Sequence, residues 1–548
     1  MKKIFSLSIF PMIFLVLSSC HEQKQEADLI VIHANVYTLD EHFSQQEAFA
    51  IKEGRILSTG KTKEILKKFS ARDTLDLHGK TVYPGFMDAH CHFLGLGETM
   101  IRWANLKGTR SMDEIIERLK SFIAENPQTW LLGRGWDQNL FPDNKFPDNS
   151  LLEKNFPNIP VVIVRVDGHA ALANDMALRL ACISSDTKID GGEILISQGK
   201  PTGLLLDNAK EKLMEAIPAM DEQLLKHALQ KAEAICISYG LTAVNDAGLP
   251  THVIHTIDEL QKNGVLKIRI VAMINPDSLT ISEFMHHGIY KTDRLLVNAI
   301  KLYADGALGS RGALLKSPYS DDPNTHGLLV ESPQILKEIC LKAYNSDFQV
   351  CTHAIGDSAN RLMLDIYSEI LKGKNDRRWR IEHAQVVDPE DLMKFGQFSI
   401  IPSVQPTHAT SDMDWAEKRL GPQRLQYAYT YHDLLTQNGW IALGTDFPIE
   451  EVNPIFTFYA ATTRKNLQHR PPGGFLPQNK LSRRETLYGM TLWAAKSTFL
   501  ENEIGSIEPG KKADFIVTSD DLMQLPDDSI PHIVVEQTWI NGKCVFHK

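Results

Sequence analysis

Apolar and polar positions divide the chain into a repeating middle and two differently patterned ends. In the middle, residues 221–238 carry Leu225, Ala228, Leu229 and Ala232 at helical spacing. Gly240 stops that helix, and residues 241–245 read as a strand. The unit then recurs. Ser332-Pro333 opens a helix with a cap and a first-turn proline, followed by an apolar run at 348–353. Asp388-Pro389 opens another, followed by 399–404, and Asn438-Gly439 closes a third ahead of the run 440–446. Near-continuous apolar strands alternating with helices predict a parallel sheet covered on both faces.

The ends read as β structure. Residues 27–83 contain alternating runs such as 29–32 and 50–51, with a turn at Gly54. Residues 514–517 and 533–543 read the same way, the second with a hairpin signal at Asn541-Gly542. One small β-sandwich built from residues 28–83 plus 500–548 is expected. Residues 84–499 then form the central unit. Its stretch at about 100–220 is too long for one βα unit, and Pro, Asn and Gly are dense at 141–160, which predicts an inserted subdomain near the barrel mouth.

Polar residues decide between an open sheet and a barrel. His90 and His92, Lys301, His353, His383 and Asp446 all follow apolar, strand-like stretches. Only a closed (β/α)8 barrel brings strand ends so distant in sequence to one point, so the expected class is α/β with a TIM-type barrel.

Composition changes this picture little. The 548 residues are 43% hydrophobic and 23% charged, with net charge −10. No Lys/Arg stripe with interleaved aromatics asks for nucleic acid. The first residues differ: Lys2 and Lys3 precede a mostly apolar stretch, Ile4 to Leu17, too short to span a bilayer. It ends in Leu17-Ser18-Ser19-Cys20, which resembles a bacterial lipoprotein signal. Residues 1–19 are therefore expected to be removed, Cys20 lipidated, and residues 20–27 to form a tether. That predicts an exported protein held at a membrane by lipid alone, periplasm-facing or on the cell surface. The other cysteines are too scattered for a disulfide framework. Nothing in the residues fixes or excludes a homo-oligomer.

His90 and His92 lie one residue apart at a strand end, so their side chains point the same way. Two imidazoles on one face, backed by an acid, make half a metal site, and imidazole with carboxylate suits Zn²⁺. Six candidate ligands exceed the needs of one ion, and two ions with shared ligands fit most simply. Lys301 sits in an apolar strand, where burial lowers an amine's pKa. The neutral amine can take up CO₂ and become a carbamate able to bridge two cations. A lone His at a strand end is more often structural, and His33, His42, His78, His227, His286, His287, His432 and His547 receive that reading.

Jointly, several motifs resemble the amidohydrolase superfamily, and within it amidohydrolase family 3, which includes N-substituted formamide deformylases. They are residues 85–92, Gly133-Arg134-Gly135-Trp136-Asp137, Val166-Asp167-Gly168-His169-Ala170 and Pro201-Thr202-Gly203. Further on come residues 301–306, 353–357, Ile381-Glu382-His383 and Gly444-Thr445-Asp446. The resemblance implies a (β/α)8 barrel with a terminal β-sandwich. It implies His90 and His92 on one metal, His353 and His383 on the other, Lys301 bridging as a carbamate, and Asp446 near the first metal.

The expected reaction is hydrolysis of a non-peptide carbon–nitrogen bond in a small N-substituted amide, with metal-activated hydroxide as nucleophile. Asp446 would accept the water's proton and return it to the leaving nitrogen. His169 is expected to act on the substrate or its oxyanion. Trp136, Asp305, Arg311 and Gln405 are substrate-binding candidates, and His408 is a weaker one. For Arg311 a loop-to-loop ion pair is the alternative. The same site would also serve a cyclic amidase or a hydrolase of carbamates, ureas or esters, and a non-catalytic, lipid-anchored binding protein is the reading from another class.

Overall fold

The computed structural model describes residues 24–548, except Asp167, His169, Asp190, Gly191 and the side chains of Asp207 and Asn208. The signal segment, Cys20 and His169 lie outside the described residues. The expected tether is shorter than its assigned length, because Gln25–Ile32 is a strand and Gln25, Glu26 and Ala27 pair with Phe69, Ser70 and Ala71.

Eight parallel strands form the centre: β1 (Phe86–Cys91), β2 (Leu241–Leu249), β3 (Arg269–Ile274), β4 (Leu295–Tyr303), β5 (Gln349–Ala354), β6 (Arg380–His383), β7 (Ile401–Val404) and β8 (Ala442–Leu443). Each pairs in parallel with the next. The helices between them start and stop where the sequence signals. Asp221, Ser332 and Asp388 accept backbone N–H groups of the first turns they cap, and Gly439 ends its helix in the left-handed region. Leu225, Ala228, Leu229 and Ala232 are buried, as their spacing requires.

β8 is shorter than the run 440–446. A Cβ on Gly444 would lie 2.6 Å from His90 N and 2.8 Å from Asp88 Oδ1, so the chain there runs hard against β1. The barrel closes across this seam: Asp446 N donates to His90 O at 2.8 Å and His92 N to Phe447 O at 2.8 Å.

Both chain ends build the sandwich. One sheet holds four N-terminal strands. The other places Phe515–Thr518 antiparallel to Thr81–Pro84, so the two termini share one ladder. Val31, Phe49, Val82, Phe515 and Val517 form the core between the sheets. The hairpin at Asn541-Gly542 pairs Ile540 with Lys543. Between β1 and β2 the chain inserts a six-stranded sheet running from Trp103 to Asp207, with the helix Met112–Glu125 burying Ile115, Ile116 and Leu119 on one face.

Candidate active site

The site assembles at the C-terminal ends of the barrel strands. His90 and His92 leave β1 on one side, their ring centroids 5.7 Å apart. His92 also caps the helix Phe93–Arg102, whose first two N–H groups are taken by the Asp246 carboxylate at 2.9 and 3.1 Å. The end of β2 thereby fixes where His92 can go. Asp88, two residues before His90 and on the same face, accepts from His90 N, Thr445 N and Thr445 Oγ1. It ties β1 to the loop carrying Asp446. Burial pushes the Asp88 carboxyl up to about 7.

Glu382 and His383 are consecutive, and strand alternation would send them to opposite faces. Both nevertheless reach His90. Glu382 Oε2 accepts from His90 Nδ1 at 2.6 Å, and the His383 ring lies 4.9 Å from the His90 ring. The reason is the backbone: His383 has φ 74°, and Asp446 has φ 64°. A left-handed conformation costs a non-glycine residue roughly 1–2 kcal/mol, and such strain collects at functional sites. Here it turns two strand ends inward.

The Lys301 Nζ lies 3.1 Å from His90 Nε2, and the lysine is buried. Burial holds its ammonium below the ordinary lysine value. Burial, aided by Lys301, pushes His353 down to about 3 and lowers His90 to about 4, so both rings are neutral at neutral pH. His383 is held well below its usual value by burial and His353. Burial would raise Asp446, yet His408 and His92 beside it and the rings of His90 and His383 keep it well below the carboxylate range.

This donor set fits a divalent cation. One ligand atom each from His90, His383 and Asp446 lies within 4.8 Å of the others. In this site His353 Nε2 and Asp446 Oδ1, both buried, have no hydrogen-bond partner among the described residues. Asp446 Oδ1 stands 3.2 Å from His92 Nε2 and 3.6 Å from His90 Nε2. Leaving buried acceptors unsatisfied is costly unless something else is meant to meet them. Glu382 holds Nδ1 of His90 and Gln405 Oε1 holds Nδ1 of His383 at 2.8 Å, which frees Nε2 of both rings as ligands.

A sequence profile described as "Amidohydrolase family" matches residues 73–546. The chain belongs to the amidohydrolase family. It is 33% identical to "Protein LONG AFTER FAR-RED 3" of Arabidopsis thaliana, over 95% of this chain and 92% of that protein. It is 25% identical to the N-substituted formamide deformylase of Arthrobacter pascens, over 96% of this chain and 99% of the relative. An uncharacterized metal-dependent hydrolase from Pyrococcus horikoshii OT3 superposes with TM-score 0.79 at 28% identity, covering 91% of this chain and 99% of that one. The protein is thus a metal-dependent amidohydrolase acting on carbon–nitrogen bonds.

Four expected substrate contacts have protein partners of their own in this structure. Trp136 is fully buried in the insertion, its Nε1 donating to Ile163 O at 3.0 Å. Alternation would set it beside Arg134, but a bulge at Gly135 adds one residue and turns the indole to the far face of the sheet. Asp305 is buried and accepts from Leu314, Ile355 and Gly356 N–H, tying the loops after β4 and β5 together behind His353. Arg311 makes a two-pronged ion pair with Asp321 at 3.1 and 3.0 Å, the alternative reading of that residue. Gln405 Oε1 meets His383 Nδ1 at 2.8 Å and so orients that ring.

Sequence reasoning passed over a chain of supports. Arg380 Nε donates to Glu382 Oε1 at 2.6 Å, and both residues are fully buried. Burial opposes the Glu382 charge, but Arg380 and His90 hold its carboxyl down at about 2. The signal existed: Arg380 and Glu382 are two charges two residues apart in an apolar strand, so they face one way. His408 Nε2 lies 3.3 Å from Asp446 Oδ2, with Glu450 Oε1 2.9 Å from its other nitrogen. Burial would lower His408, but Asp446 and Glu450 raise it well above the usual range, so an imidazolium backs Asp446.

Proposed function

We propose that this enzyme hydrolyses small N-substituted amides with two divalent ions, Zn²⁺ by preference. His90, His92, His353, His383, Asp446 and Lys301, carbamylated with release of a proton, would hold them. The supporting observation is the convergence of neutral imidazoles with unpartnered His353 Nε2 and Asp446 Oδ1 at one barrel mouth. A metal held there would polarise an amide carbonyl and lower the pKa of bound water from 15.7 towards about 7. Asp446 takes the proton of the attacking water and delivers it to the leaving nitrogen. The His408–Glu450 pair fixes the second oxygen of Asp446, so that Oδ1 stays aimed at the centre. Burial lowers the Lys301 pKa, which favours the neutral amine that reacts with CO₂. The activity printed for the Arthrobacter pascens relative supports an amide-type substrate.

The test is a hydrolysis screen of N-formyl, N-acyl and cyclic amides with zinc-loaded enzyme, using Asp446→Asn as control. Turnover of acyclic N-substituted amides that the variant lacks is expected. Exclusive turnover of esters or cyclic amides would replace the reading. Export with lipid on Cys20 is proposed from the N-terminal residues, and loss of membrane association in Cys20→Ser tests it.

A further inference from the structure

Beside His92 a cavity of about 540 Å³ opens, within the range of small-molecule sites. Its walls come from two parts of the chain. His92, Asp246 and Pro448 belong to the barrel mouth, while Trp103, Arg134 and Lys210 belong to the insertion. Leu249 and Val164 add apolar surface to the lining.

The charges lining this cavity are not equivalent. The Asp246 carboxylate is taken up by two backbone N–H groups, and Glu98 pairs with Arg102 at 2.8 Å. Lys210 Nζ donates to Gly168 O at 2.8 Å and pairs with Glu211 at 2.5 Å. Arg134 alone of these has an exposed side chain with no hydrogen bond or ion pair from its guanidinium among the described residues. Its placement is built in. The strand Leu131–Trp136 pairs Arg134 with Val164, another cavity residue, and the Gly135 bulge removes Trp136 from that face. An indole is thus withdrawn and a free guanidinium presented.

We propose that Arg134 anchors a carboxylate on the substrate, so that the amides hydrolysed are N-formyl or N-acyl derivatives of apolar amino acids. Planar guanidinium matches carboxylate in a two-point, charge-assisted hydrogen bond. Arg134 and His92 line the same cavity, and its apolar lining residues would take the substrate's side chain. This rests on the carbon–nitrogen hydrolase reading. In the reaction the water oxygen bonds to the amide carbonyl carbon, the C–N bond breaks, and a proton passes to the leaving nitrogen. The anchored carboxylate is unchanged.

The experiment uses the zinc-loaded full chain with N-formylphenylalanine and N-formyl-2-phenylethylamine, which differ only in the carboxylate. The wild type is expected to favour the carboxylated amide at least tenfold in kcat/KM. Arg134→Gln should erode that ratio at least tenfold, chiefly through KM, and Arg134→Lys should keep part of it. A ratio near one in the wild type, or a ratio unmoved by Arg134→Gln, overturns the anchor. If neither compound is hydrolysed, calorimetry of N-formylphenylalanine binding separates the two claims. Binding at least tenfold weaker in Arg134→Gln upholds the anchor while the reaction reading falls. Equal or absent binding removes the anchor itself.

Discussion

The barrel has two buried arginine–carboxylate pairs, and they serve different purposes. Arg269, the first residue of β3, meets Asp514 of the sandwich at 2.6 and 3.1 Å. Its remaining donors go to Asp293 O and Asn541 Oδ1, and Asp514 also accepts from Asn541 N. Every group closes on another, and the pair fastens the sandwich to the barrel. Arg380, the first residue of β6, meets Glu382, but Glu382 gives its other oxygen to His90. Beyond His90 the polar atoms stay open, at His353 Nε2 and Asp446 Oδ1. The Arg269 pair closes on its neighbours, whereas the Arg380 pair leads through His90 to open polar atoms. In barrels of this type stability concentrates at one face and chemistry at the other, and here the same residue pair is used for both.

Substitutions can break this contrast. The largest effect belongs to the mouth: Asp446→Asn should lower kcat by about 10²–10⁴, the range of a lost general acid–base group. At least one metal ion should stay bound, and steady-state kinetics with elemental analysis checks both. An active variant would remove Asp446 from proton transfer. On the floor, Asp514→Ala takes from buried Arg269 its nearest carboxylate, and breaking a buried pair costs about 3–5 kcal/mol. A lower urea midpoint with unaltered zinc affinity is expected; lost zinc affinity in folded protein would erase the division of labour. Glu382→Gln sharpens the comparison, because loosening a ligand's outer partner weakens metal binding about 10–100-fold. A chelator-competition titration reads it. Smallest is Arg311→Ala on an exposed pair, where neither the urea midpoint nor zinc affinity should shift.

Period-two alternation made His90 and His92 legible as a pair, and the apolar runs before Lys301, His353, His383 and Asp446 placed those residues at strand ends. The roles of their supports were not legible. A polar residue after a strand looks alike whether it faces a ligand or another protein group: Asp305 turns back on backbone N–H groups, and Gln405 meets the His383 ring. Trp136 depends on a one-residue bulge that inverts its face. Glu382 and His383 share a target only because of a left-handed φ that no spacing encodes. The tether was overextended since Gln25–Ala27 find partners some forty residues away, at Phe69–Ala71.

The most direct test is the zinc content of the purified full-length chain after equilibration with Zn²⁺ and removal of free metal. Two ions per chain are predicted. A folded protein that retains none would contradict the account.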